Sequence, residues 1–325
     1  MIEEVINPFE STVKPFCDCN FPTTLRDDIH EIVTCKCGED IISDDLQWEW
    51  DSAGSESYVN GKNITFHPTY SSGTAVVRGK SALKKGMIHY WEIRVLTQLS
   101  GTDQMFGVGT NEVNLTEFNY TYTSALGLNG NSWAFSYRGF KQHNGESSIY
   151  GNKINQGCIV GVLLDLSLGY IEFFINRRSL GIAYRNIPTD KSLYPMVCST
   201  ASKSSIRLIT SLSFEDSLIY RSYETIVKNG LLKSLQILPG LEHLLLRYWY
   251  LNPPPRYSSQ TNSNELSIED EIILLKKMSK RQKIEKIEEH ADSEEEFDLY
   301  KNAFIEPVKD KTIEDSEEEI YHFLL

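Results

Sequence analysis

Between Ile88 and Val95 the chain alternates: Trp91, Ile93 and Val95 fall on one side of an extended segment, and Tyr90, Glu92 and Arg94 fall on the other. A period of two is that of a strand with one buried face. Short β-type runs recur at Asn63–Phe66, Thr74–Gly79, Gln104–Thr110, Ser132–Tyr137, Cys158–Asp165, Tyr170–Ile175, Gly181–Tyr184, Tyr194–Ser199 and Ser205–Ile209. Gly86, Gly101, Gly139, Gly157 and Gly169 punctuate them. Many short strands with frequent turn signals and no helices between them predict a mainly β chain folded as an antiparallel β-sandwich.

The pattern changes near Glu215. Leu218, Ser222 and Ile226 are spaced by four, which places them on one face of a helix, and Ser217 stands where an N-cap belongs. The helical reading runs to Leu251, is interrupted at Pro239, and stops at Asn252-Pro-Pro-Pro255. The expected order is an irregular arm (1–45) with four of the six cysteines, a sandwich (46–212), a helical segment (213–252) and a tail (253–325). A second helical pattern in the tail runs through Ile268, Ile272, Leu275 and Met278. It is too short for a coiled-coil seam and reads as a solvated amphipathic helix or disordered chain.

Charge sharpens this division. From Arg256 to Leu325 there are 10 Lys and Arg against 19 Asp and Glu, so the tail carries −9 of the chain's −13. A near-neutral body with an acidic tail lacks the basic stripe of a nucleic-acid surface. No apolar run approaches the ~20 residues that span a bilayer. The opening Met1-Ile-Glu-Glu-Val5 has neither the basic nor the apolar part of a signal peptide, so a cytoplasmic or nuclear chain is expected, with no membrane and no nucleic-acid partner. In a reducing compartment the cysteines are thiols or metal ligands rather than disulfides. Cys158 and Cys198 fall in strands and read as core. Cys17, Cys19, Cys35 and Cys37 offer a four-sulfur zinc set, or else free thiols in the arm; one residue separates each pair, where the usual zinc knuckle has two. No other cofactor is expected.

Catalytic signatures are missing: there is no Gly-x-Ser-x-Gly elbow, no His-Glu-x-x-His and no phosphate loop, and seven scattered histidines suggest no cluster. A non-catalytic protein is expected.

A set of motifs in the β region carries more. Phe66-His67, Gly73-Thr-Ala-Val-Val-Arg-Gly79, His89-Tyr-Trp-Glu-Ile93, Gly101-Thr-Asp103, Gly107-Val-Gly-Thr110, Ser132-Trp133, Asp165, Gly169-Tyr-Ile-Glu-Phe-Phe-Ile-Asn176, Gly181-Ile-Ala183 and Leu193-Tyr-Pro-Met-Val197 follow in order. This resembles a SPRY (B30.2-type) domain, which implies a concanavalin-like jelly roll. Most of these residues read as scaffold: Trp91 and Trp133 supply core surface, Gly169 permits a tight turn, and Asp165 and Asn176 can bond turn amides.

The resemblance extends to the SPRY domain-containing SOCS box family through Cys17-Asp-Cys19, Cys35-Lys-Cys-Gly-Glu39, Tyr70-Ser-x-Gly-Thr74 and Tyr194-Pro-Met-Val-Cys-Ser-Thr-Ala201. It implies that 213–252 is a small α-helical SOCS box. It also implies the role of substrate receptor in a ubiquitin ligase, with elongin C, elongin B, a cullin (cullin 5 or cullin 2) and its RING protein as partners, and target degradation as the outcome. The target would carry a short, Asn-rich peptide, held by positions matching Thr69, Tyr70, Gly101, Thr102, Tyr122, Thr200, Ala201 and Ser202. Elongin C would meet Leu218, Ser222 and Ile226, and the cullin side of the box would comprise Leu238, Pro239, Leu241, Leu244 and Leu245. The chain departs from the pattern in four places: a shorter loop between His67 and Thr74, small residues at Thr200-Ala201 where a Val-Trp is common, Ser222 where cysteine is usual, and Leu235-Gln-Ile-Leu-Pro-Gly-Leu241, which keeps only Pro239 of the prolines in the family's Leu-Pro-Leu-Pro stretch. The alternative is a SPRY interaction adaptor whose box has degenerated.

Overall fold

The computed structural model describes residues 12–19, 32–39, 46–51, 56–231 and 242–251. Two antiparallel sheets face each other. The seven-stranded sheet runs, in spatial order, β1 (Ser57–Asn60), β2 (Asn63–Phe66), β13 (Ser204–Glu215), β4 (Met87–Val95), β9 (Ile159–Asp165), β10 (Tyr170–Ile175) and β11 (Arg178–Arg185). The six-stranded sheet runs β3 (Ala75–Arg78), β12 (Leu193–Ser199), β5 (Gln104–Thr110), β6 (Ser132–Ser136), β7 (Phe140–His143) and β8 (Glu146–Ile149). The expected mainly β sandwich is present. Its last strand runs Ser204–Glu215, six residues beyond the expected end at Ile209.

The core between the sheets takes Trp91, Ile93 and Val95 from β4, Phe106 and Val108 from β5, Trp133 and Phe135 from β6, and Val160 and Val162 from β9. Asp165 and Gly169 shape the β9–β10 turn as expected. Asp165 Oδ1 accepts from the amides of Ser167 and Leu168 at 2.9 and 2.8 Å, and Gly169 takes φ +67°. Asn176 does something other than bond a turn: its Oδ1 accepts from Ile159 N at 2.9 Å and its Nδ2 donates to Lys14 O at 2.8 Å. It fastens the N-terminal arm to β9. Cys158 and Cys198 are fully buried.

The expected half-exposed strand is different. β4 is buried on both faces, apart from partial exposure at Met87. Its outer side is covered in two places by segments outside the sandwich. Over Ile88 and Tyr90 lie α1 (Leu218–Lys228), α2 (Glu242–Arg247) and a 3-10 turn (Trp249–Leu251), with Tyr220, Tyr223, Tyr248, Trp249 and Tyr250 buried in one cluster. Tyr250 stacks on Tyr90 at 4.4 Å between ring centroids. Over Glu92 and Arg94 lies the arm, where Phe16 and Cys17 pack with Ile159 and Ile209. The described parts of the arm are tied down: Val13 N donates to Lys153 O at 2.8 Å, Phe16 N to Gly157 O at 3.1 Å, and Val33 N to Leu96 O at 2.8 Å. Among the described residues no helix is long and apolar enough to cross a membrane. The tail pattern through Ile268 and Met278 lies outside the described residues.

Candidate functional site

At one end of the sandwich four loops meet, at 67–74, 101–103, 118–124 and 199–203. Hydrogen bonds lace them together. Tyr122 Oη donates to Ser71 O at 2.6 Å, Ser71 Oγ to Thr200 O at 2.7 Å, and Ser72 Oγ to Asn119 O at 3.0 Å. Thr74 N donates to Phe118 O at 2.8 Å. Gly73 is required for this closeness, because a Cβ there would lie 2.4 Å from Asn119 O. Ser202 Oγ donates to Thr69 O at 3.3 Å.

Asp103 is the hub beneath them. Its carboxylate accepts from Ser124 Oγ and Ser136 Oγ, each at 2.6 Å, and its carbonyl accepts from Thr200 N at 3.0 Å. Burial pushes its pKa up, against the two hydroxyls that favour the charged form. Gly101 takes φ +78°, and a Cβ on it would lie 2.6 Å from Thr200 Oγ1, so only glycine fits.

The eight positions carried over for peptide binding therefore divide. Thr69, Tyr70, Gly101, Thr102 and Tyr122 are exposed, Ser202 is half-buried, and Thr200 and Ala201 are buried. Thr200 and Ala201 form the floor that holds the loops, while the outer surface is Tyr70 and Tyr122. Tyr120, 86% exposed, joins them on the loop that packs against Ser72 and Gly73. Sequence reading passed over Tyr120, Ser71 and the hub role of Asp103. For Asp103 the signal was there, a carboxylate next to Gly101-Thr102 at a strand start, but its hydroxyl partners are distant in sequence.

The second candidate site lies at the far end of β13. At about 3.3 Å per residue, this strand of 12 residues carries the chain roughly 36 Å from the loops. There Ser217 caps α1, its Oγ accepting from Tyr220 N at 3.2 Å, as the sequence predicted. Tyr220 and Tyr223 anchor the inner face. Glu224 is held by Arg221, Lys228 and Tyr170 Oη at 3.2, 2.7 and 3.0 Å. Its pKa is lowered by these partners despite burial. Arg221 also reaches Asp165 Oδ2 at 2.7 Å and Asp216 Oδ1 at 2.6 Å. The opposite face carries Leu218, Ser222 and Ile226. Leu218 is 83% exposed and its neighbour Ile219 60%, Ser222 is exposed, and Ile226 is half-buried. Leu244 and Leu245 are half-buried against the cluster around Tyr90. Leu238, Pro239 and Leu241 lie outside the described residues.

The four arm cysteines converge. All four sulfur atoms lie within 4.8 Å of one another, with Cys17–Cys35 and Cys19–Cys37 each at 3.5 Å. Arg94 donates to Cys35 Sγ at 3.0 Å and to Cys17 Sγ at 3.4 Å.

Comparison with known proteins agrees with this architecture. A SPRY domain family model matches residues 88–213. SPRY domain-containing SOCS box protein 3 of Xenopus laevis is 35% identical over 265 residues, 77% of this chain and 72% of that protein. Its Xenopus tropicalis counterpart is 38% identical over 218 residues, 64% of this chain and 59% of the relative's length. Protein gustavus of Drosophila melanogaster is 30% identical over 166 residues, 47% of this chain and 58% of that protein. Among solved structures, the SPRY domain of human HERC1 aligns with a TM-score of 0.39 at 18% identity, covering 49% of this chain and 96% of that one. With a SPRY sandwich followed by a docked helix, and with a relative 35% identical across most of its own length, the chain belongs to the SPRY domain-containing SOCS box protein family.

Proposed function

We propose that this chain is the substrate-recognition subunit of an elongin B/C–cullin–RING ubiquitin ligase. The loops around Tyr70, Tyr120 and Tyr122 hold a short peptide of the target, and α1 docks on elongin C through Leu218, Ser222 and Ile226. The chain performs no chemistry itself; its partners transfer ubiquitin.

One observation carries this reading. Leu218 is 83% exposed at the head of a capped helix whose other face is buried by Tyr220 and Tyr223. A rigid helix that leaves a large apolar side chain in water is built for a groove on another protein. The separation of roughly 36 Å along β13 supports the division of labour, since target and ligase machinery can be held without collision. Peptide recognition by tyrosine rings and loop backbone suits carboxamide side chains, because a wrong residue leaves buried polar groups unpaired.

The test is co-expression of the full chain with elongins B and C. Stoichiometric co-purification, lost on Leu218→Ala in a protein with unchanged thermal stability, is the expected result. If intact protein forms no complex, the chain is an interaction adaptor with a degenerate box, the reading that Ser222 in place of the family's cysteine favours.

A further inference from the structure

Arg94 is fully buried on the outer face of β4, among the arm residues. A buried guanidinium needs a negative partner, because an isolated charge in the interior is strongly disfavoured. Among the described residues no carboxylate lies in ion-pair range of it; its hydrogen bonds go to Cys35 Sγ, Cys17 Sγ and the carbonyl of Cys37. Thiolates would satisfy Arg94. Four sulfurs packed together, though, cannot all carry charge against one arginine unless a cation joins them.

The spacing of the sulfurs suits such a cation. A tetrahedral zinc with Zn–S bonds of about 2.3 Å sets its sulfurs about 3.8 Å apart. Here two pairs stand at 3.5 Å and the longest separation is at most 4.8 Å. A disulfide needs about 2.05 Å, and all four cysteines are free. The departure from common knuckle spacing is thereby answered: with one residue between the members of each pair, all four sulfurs still reach one centre. Gly38 contributes space, since a Cβ there would sit 2.7 Å from Ile159 Cδ1 and 2.9 Å from the Phe16 ring.

We propose that Cys17, Cys19, Cys35 and Cys37 bind a structural zinc ion that staples the two halves of the arm to the outer face of the seven-stranded sheet. On binding, each thiol gives up its proton to solvent and becomes a thiolate ligand. A zinc ion with four thiolates carries a charge of about −2, and Arg94 offsets part of it. Four protein ligands close the coordination sphere, so the metal has no open position for substrate and acts on structure alone. The site also reaches toward the 3-10 turn at Trp249. Gly38 O accepts from Arg177 Nη2 at 2.6 Å, and the Arg177 guanidinium lies over both the Phe16 ring, at 5.1 Å, and the Trp249 ring, at 4.6 Å.

The experiment is metal analysis of the full chain, purified under reducing conditions without chelator. The expected result is about one zinc per chain, released by a mercurial thiol reagent. Cobalt(II) exchanged into the protein should give thiolate charge-transfer absorption and the visible bands of a tetrahedral ion. Cys19→Ser, at the exposed ligand, should lose the metal and lower the thermal midpoint while near-ultraviolet circular dichroism shows the sandwich intact. Substoichiometric zinc with four freely titrating thiols in the wild-type chain overturns the proposal. So does the recovery of these cysteines as disulfides by mass spectrometry. Both readouts use the wild-type protein, so neither depends on a variant that folds.

Discussion

The guanidinium of Arg177 grips the carboxylate of Glu92 through two bonds of 3.0 Å, Nε to Oε1 and Nη2 to Oε2, with both side chains almost wholly buried. Tyr90 Oη donates to the same carboxylate at 2.7 Å. Arg177 leaves the β10–β11 turn in the left-handed conformation, at φ +65°, to make this contact. Its guanidinium is sandwiched between Phe16 of the arm and Trp249 of the helical segment. One ion pair on the outside of the sandwich is therefore where the arm, the sheet and the 3-10 turn at Trp249 meet.

Breaking that pair from one side should be severe. Arg177→Leu leaves Glu92 buried without its cation, and removal of one partner of a buried pair costs about 3–5 kcal/mol. Urea unfolding of Arg177→Leu, Glu92→Leu and the double variant measures it. The double variant should lose clearly less than the sum of the singles, the signature of direct coupling.

The aromatic run Tyr248-Trp249-Tyr250 holds the helices down. Tyr250→Ala removes a ring stacked on Tyr90 and beside Phe214, and truncation of a buried large aromatic costs about 3–5 kcal/mol. Hydrogen exchange should show faster opening of α1 amides and unchanged protection in β5 and β12. Equal loss in both places would mean that helix and sandwich unfold as one unit.

His89 should make stability depend on pH. Its Nε2 donates to Lys84 O and its Nδ1 pairs with Ser213 Oγ, each at 2.8 Å, and burial lowers its pKa, which favours the neutral ring. Below about pH 6.5, where an unfolded histidine protonates, the unfolded state binds more protons than the folded one. Stability present above that pH is therefore lost as the pH falls toward the depressed folded value, by up to about 1.4 kcal/mol per unit. Chemical denaturation of wild type and His89→Gln across this range checks it: the slope should be smaller in the variant.

At the loops, Tyr122→Phe removes only the bond to Ser71 O, so target affinity should fall by about 1 kcal/mol. Tyr122→Ala removes an anchor and should weaken target binding by ~1–3 kcal/mol. Peptide arrays probed with the full chain supply the ligand, and calorimetry with the best peptide supplies the affinities.

Much of the sandwich was legible because its inner faces obey the period-2 rule: β2, β5 and β10 have the bounds their hydrophobic runs imply. β7 and β8 were not, because Phe140-Lys-Gln-His143 and Glu146-Ser-Ser-Ile149 lie half-buried or exposed at a sheet edge and lack an apolar repeat. The outer face of β4 was misread for a different reason. Alternation tells which residues share a side, but what covers Tyr90, Glu92 and Arg94 comes from Phe16, Cys17, Cys35 and Cys37 and from Tyr220, Tyr223 and Tyr248–Tyr250, far away in sequence. The helix face at Leu218, Ser222 and Ile226 was legible from its spacing. The loop site was legible as a set of positions only. Which of them point outward depended on a buried carboxylate, Asp103, and its partners from three different segments.

The central claim is that one end of β13 serves the target and the other serves the ligase. Its most direct test is calorimetric titration of wild type, Leu218→Ala and Tyr122→Ala with the elongin B/C complex and, separately, with the selected peptide. The account predicts that Leu218→Ala loses at least tenfold in elongin affinity (about 1.4 kcal/mol) with peptide binding unchanged, and that Tyr122→Ala does the reverse. Loss of both activities in either variant, or elongin binding indifferent to Leu218, would contradict it.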